Sequence, residues 1–121
     1  MKDKEFIPYE QALELKELGF YDDCLGYYYT DPNAASIPFL CIYKPYKNEF
    51  CLPAPIYQEA FRWFRENHKH YHILNYNAES NVWILTIANY DSQLISIEKY
   101  NTYEEAEFDA LKKIIKIVKT K

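Results

Sequence analysis

A chain of 121 residues, 49% apolar and with only two glycines, can build one globular domain with a real core, which excludes a disordered or low-complexity protein. A formal net charge of −4 excludes broad binding to a nucleic-acid backbone, so no long nucleic acid is expected as a partner. The longest apolar runs, IPFLCIY and VWILTIA, are too short to span a bilayer, and no membrane partner is expected.

In chain order, the opening MKDKEFIPYEQ has no apolar run of the signal-peptide kind, which predicts a cytoplasmic location. Pro8 can occupy a first helical turn, where its missing N–H is not needed. YEQALELKEL continues with good helix formers, and Gly19 supplies a left-handed stop. A helix is therefore predicted over Pro8–Leu18, with Phe20 folding back on Leu15. CLGYYY and IPFLCIY are short β-prone runs separated by the turn-rich TDPNAAS, which reads as a hairpin with Pro38 and Pro45 at edges or ends. NEFCLPAP reads as a connection into the next helix. Pro55 can open that helix, and YQEAFRWFREN carries it to the region of Asn67 or His68. Ile56, Ala60, Phe61 and Phe64 form its apolar stripe.

HYHILNY, VWILTIA and LISIEKY follow, joined by the short connectors NAESN and NYDSQ, so an antiparallel meander is expected. VWILTIA is almost continuously apolar and belongs in the sheet centre. TYEEAEFDALKKIIKIVKTK is the clearest helix. Thr102 and Glu105 fit a capping box, acids crowd its first turns and lysines its last. Ala106, Ala110, Leu111, Ile114, Ile117 and Val118 should face the sheet. The expectation is a single α+β domain over residues 1–121. It has an N-terminal helix and β-hairpin, a second helix, a three-stranded antiparallel meander, and a C-terminal helix packed on the sheet.

Three of these stretches, PYEQALELKELGF, APIYQEAFRWFRENH and TYEEAEFDALKKIIKIVK, resemble a family of small uncharacterised proteins common in Bacteroidetes phages and mobile elements. The likeness covers both ends and the centre of the chain. It implies a phage or mobile-element accessory protein working in the cytoplasm of a bacterial host, and it transfers no catalytic residue.

The chemistry in the residues themselves is sparse. Residues 1–31 carry eight acids and three bases, residues 32–78 three and five, and residues 79–121 seven and six. The middle third alone is net positive and is the place to look for an anion site. There Arg62, Arg65 and Lys69 recur at three- and four-residue spacing and could grip phosphate, with Tyr57, Trp63 or Tyr71 stacking on a base. The competing reading is a solvated helix face on which Glu59 and Glu66 neutralise the arginines. His68, His70 and His72 would share one face if all three lay in a strand. His68 is better placed closing the helix, so no metal site is expected. Cys24, Cys41 and Cys51 follow no zinc spacing and read as reduced thiols packed as small hydrophobes.

Helix, three strands, helix is also the element order of the double-stranded-RNA-binding domain, but the acidic TYEEAE start of the last helix would repel phosphates. Gly19 and Gly26 are too isolated to cradle a dinucleotide, and no serine lies in a nucleophile elbow. Cys41 or Cys51 could pair with a histidine, an arrangement common by chance, and Asp22–Asp23 and Glu104–Glu105 have local explanations as a turn and a helix start. No enzyme and no cofactor is expected. The leading expectation is a non-enzymatic binding protein that sequesters a small anionic, nucleotide-like signalling ligand as a counter-defence device. The alternative is a protein-interaction or structural module working through an aromatic surface, its partner a host protein or, as a homo-oligomer, its own kind.

Overall fold

Gly19 ends the first helix as its position in the sequence requires. It takes φ +104°, the Gly19 amide donates to the Lys16 carbonyl, and the Phe20 amide donates to the Leu15 carbonyl at 2.9 Å. Those two bonds satisfy carbonyls that the helix leaves free, and Phe20 and Leu15 are both buried beside them. The helix, α1, runs Tyr9–Glu17, with Pro8 as its N-terminal cap in an extended conformation. The expected span is thus right except that Pro8 and Leu18 are the caps and not the first and last turns.

The computed structural model describes residues 3–30, 38–42, 51–91 and 93–120. Its described residues hold three α-helices and two three-stranded antiparallel sheets, an α+β fold. Most of the TDPNAAS loop, and Pro45, lie outside the described residues. The chain divides into two compact units, Met1–Ala60 and Phe61–Lys121.

In the first unit the hairpin forms as expected. Strand β1 (Gly26–Tyr29) pairs antiparallel with β2 (Phe39–Cys41). The other side of β1 also carries a strand, β3 (Cys51–Ala54), where the sequence suggested only a connection. Its prolines obscured it. Pro53 lies opposite Tyr27 in an edge strand, the one place in a sheet where a missing N–H costs little. Gly26 is fixed by close approach: a Cβ there would sit 2.7 Å from the Phe6 ring. Phe6 forms an isolated bridge with Ile56, and the Ile7 amide donates to the Pro55 carbonyl. Helix α2 (Tyr57–His68) begins after Pro55, not at it. Its start is held by Glu59, whose carboxylate accepts from the Ile56 and Leu25 amides. The division between the units falls within α2.

In the second unit α2 ends at His68, and Lys69 turns the chain in a left-handed conformation (φ 58°) into the meander. The meander is β4 (His70–Asn77), β5 (Val82–Asn89) and β6 (Leu94–Tyr100), with β5 central. Each connector opens on an asparagine. The Asn77 side chain accepts from the Glu79 and Ser80 amides, and the Asn89 side chain from the Asp91 and Gln93 amides, which sets each turn locally. A bulge between Ile87 and Ala88 leaves Ile95 as the extra residue of β6. Helix α3 (Tyr103–Lys119) packs across all three strands. Thr102 Oγ1 accepts from the Glu105 amide at 3.1 Å, half of the expected capping box. Its buried face holds five of the six expected residues, but Ile115 is buried where Ile117 was expected, and Ile117 is half-buried.

Candidate functional site

Strand pairing divides the meander into two faces, because residues directly opposite each other point the same way. One face carries the rows His72–Ile87–Ser96, Leu74–Leu85–Glu98 and Tyr76–Trp83–Tyr100. This is the face under α3. The Trp83 ring meets Tyr103 edge-on, the Tyr100 hydroxyl donates to Asp109, and Lys113 pairs with Glu98. Burial and the adjacent Asp109 carboxylate raise the Tyr100 hydroxyl above its ordinary range. The other face carries Tyr71–Ala88–Leu94, Ile73–Thr86–Ile97 and Asn75–Ile84–Lys99.

This second face is the feature that sequence reasoning missed. An antiparallel sheet with one solvated face normally turns its polar residues outward. Here β6 does the reverse. Ser96 and Glu98 point towards α3, while Leu94 and Ile97 are 58% and 57% exposed and Ile73, beside them in the same row as Ile97, is 43% exposed. Tyr90, also exposed, lies with its ring 6.0 Å from that of Tyr71. The alternation in LISIEKY was visible, but its natural interpretation puts the isoleucines inside. What makes the reversal tolerable is that Glu98 finds both the Lys113 ammonium and the Tyr100 hydroxyl on the helix side.

The residues singled out for an anion site have unlike surroundings. Tyr57 is buried in the first unit, and Trp63 is buried in the second with its ring against Phe64 and His68. Arg62 is exposed and Arg65 half-buried. Among the described residues neither arginine is in a salt bridge, and Glu59 is engaged in capping α2 instead. Lys69 lies beyond the helix, donates to the Glu66 carbonyl and sits 5.6 Å above the Tyr90 ring. Lys69, Tyr71 and Tyr90 therefore gather at one end of the exposed face, and the Arg65 charge acts on His72.

The histidines separate as well. His68 ends α2 with its ring against Trp63 and Phe64. His70 is buried, its Nδ1 2.7 Å from the His68 carbonyl, which fixes that nitrogen as the donor. His72 is stacked on Phe61, centroids 3.8 Å apart, and its Nδ1 has no hydrogen-bond partner. Burial, and then the Arg65 charge, hold its pKa down at about 4. Among the described residues no three His, Cys, Asp or Glu side chains converge to hold a metal ion.

The thiols are similarly quiet. Burial pushes Cys24 up to about 11, and its Sγ–H donates to the Gly26 carbonyl. Cys41 faces Tyr27 from β2 and Cys51 faces Tyr29 from β3. With β1 between them and a two-residue offset along it, their Cα atoms are roughly 12 Å apart, too far for a disulfide. No described helix is long and apolar enough to cross a membrane. Comparison with protein-family models, curated proteins and solved structures finds no match to this chain.

Proposed function

We propose that this protein is a non-enzymatic interaction module that docks a host protein on the exposed face of its meander. By the resemblance of its three helical motifs it is an accessory protein of a phage or mobile element. The observation that carries the proposal is the row Ile73–Thr86–Ile97, flanked by Leu94, which leaves large apolar side chains in water on the face away from α3. Contiguous apolar surface of this kind is uncommon on proteins that act alone. Lys69 and Lys99, both exposed, border it, so the complementary surface has an apolar centre and an acidic rim. The non-enzymatic reading is supported by a Cys24 thiol that burial pushes away from thiolate formation.

The experiment is site-specific photo-crosslinking in host cells, with a benzophenone side chain at position 73 and, as control, at the exposed position 112 on α3. A discrete adduct from position 73 alone identifies the partner, and the purified partner should bind the Ile73→Glu protein at least about 10-fold more weakly than the parent. Identical adducts from both positions, or unchanged binding by Ile73→Glu, would refute the proposal.

One observation favours the small-anion reading as a second possibility: Arg62 and Arg65 are outside any salt bridge among the described residues, in the net-positive third of the chain. Calorimetric titration with cyclic dinucleotides and adenosine-diphosphate-ribose derivatives tests it. Binding that weakens in both Arg62→Ala and Arg65→Ala supports sequestration of a nucleotide-like ligand, and absence of heat with every nucleotide refutes it.

A further inference from the structure

The edge of the meander has its own consequence. β6 borders β5 on one side, and no strand pairs with its outer side among the described residues. A strand in that position presents a row of free amides and carbonyls, and proteins ordinarily protect such edges by keeping them short or charged. β6 is seven residues long and carries Leu94, Ile95 and Ile97, all exposed. The bulge is confined to its start at Ile95, and Ser96–Tyr100 continue in regular register with β5.

We infer that β6 pairs antiparallel with β6 of a second copy, joining two meanders into one six-stranded sheet. Two observations select this occupant and its register. A two-fold axis perpendicular to the sheet keeps each face on its own side, so only residues of like parity can stand opposite each other. Of the registers this allows, the one centred on Ile97 pairs residues 95–99 with their counterparts, while Leu94, which the bulge puts on the exposed face, falls outside it because Tyr100 lies on the face under α3.

Charge selects the same register. With Ile97 on the axis, Glu98 stands opposite Ser96 and Lys99 opposite Ile95, so no like charges meet. A shift that centres the axis on Glu98 sets two carboxylates against each other, which is destabilising. A shift the other way, to Ser96, shortens the overlap to residues 95–97, since Leu94 and Glu98 lie on different faces.

On the exposed face the Ile97 side chains meet at the axis, and the aliphatic stem of Lys99 covers the second copy's Ile95. The inference goes beyond the docking proposal. It concerns the edge of the sheet, and it makes the two exposed faces of a dimer continuous.

The test is sedimentation velocity with native mass spectrometry on the whole chain, together with disulfide trapping. The parent should be a dimer at micromolar concentration, and Ile97→Lys, which opposes two cations across the axis, should weaken it at least about 100-fold. Ile97→Cys should oxidise to a dimer linked through position 97, identified by the linked peptide. Ile95→Cys and Lys99→Cys should each fail to self-link but should link to each other when mixed. Trapping reads the register even if Ile97→Lys fails to fold. A monomeric parent overturns the inference, as does a dimer that persists in Ile97→Lys or a chain in which the position-95 variant self-links as readily as the position-97 variant. Ile73→Glu lies on β4 and should leave the dimer intact while abolishing docking, so loss of one property is distinguishable from loss of the other.

Discussion

His72 sits on the helix-covered face of the meander as a neutral ring, and acid should expose what that costs. Its ring is stacked on Phe61, its Nδ1 has no partner, and the Arg65 charge stands nearby. Protonation would place a second positive charge beside Arg65 in a poorly hydrated site, so the native pKa falls to about 4 from an ordinary value of 6.5. The unfolded chain takes up the proton near 6.5 and the native chain only near 4, so between them the unfolded state holds more protons. The stabilisation is therefore complete above pH 6.5, is lost as pH falls through the window, and levels off below about 4. At 1.36 kcal/mol per tenfold change, the full loss is about 3 kcal/mol, a large fraction of a small domain's stability. Urea unfolding followed by tryptophan fluorescence reports it directly, since Trp63 and Trp83 both lie in the second unit. Carboxylates also titrate at the acid end, so the quantity to compare is the pH dependence of the parent minus that of His72→Phe, which keeps the stacking and lacks the proton. Between about pH 7.5 and 4.5 that difference should be roughly 2–3 kcal/mol. An equal pH dependence in both proteins, with the His72 imidazole titrating near 6.5 by NMR, would refute the reasoning.

Two packing predictions follow from the same surfaces. Ile114 is fully buried on α3, so Ile114→Asp should cost about 4 kcal/mol or more and leave little folded second unit by circular dichroism; melting within a degree or two of the parent would show that the helix is not packed there. Gly26→Ala drives a methyl into the Phe6 ring and should cost roughly 1–3 kcal/mol. Hydrogen exchange should locate that loss in the amides of β1 and β3, and unchanged protection there would mean that the ring moves aside freely.

Much of this architecture was legible because its signals are local. The Gly19 stop, the Thr102 cap and the short connectors of the meander each depend on a few neighbouring residues, and each appears where expected. β3 was not legible because its evidence is non-local: CLPAP looks like a breaker until β1 supplies a partner and shows Pro53 to be on an edge. The burial of two of the proposed stacking residues was not legible for a related reason. The buried arc of α2 is wider than the stripe of Ile56, Ala60, Phe61 and Phe64, and it takes in Tyr57 and Trp63. Lys69 seemed to extend the Arg62–Arg65 face, yet it occupies a left-handed position usually given to glycine or asparagine. Nothing in the sequence near Lys69 announces that turn.

The orientation of β6 is the point at which local and global preferences part. Sliding the strand by one residue would bury Ile95 and Ile97 and turn Ser96 and Glu98 to water, recovering roughly 1.5–3 kcal/mol for each isoleucine fully buried. The chain does not take that route, because the same slip would pull Glu98 from Lys113 and Tyr100 from Asp109. It would also remove Tyr100 from its place opposite Trp83, whose ring meets Tyr103 at the start of α3. These contacts lie within the part of the strand beyond the bulge, where register with β5 is regular. Exposed pairs of this kind contribute little singly, but a hydroxyl, two carboxylates and an ammonium sharing one site act together as a register lock. The outward isoleucines then follow from how the inner face is fastened, and their exposure is a fixed property of the folded unit. A surface fixed in this way is already ordered before anything binds it, so association along the face or the edge need not first organise the strand.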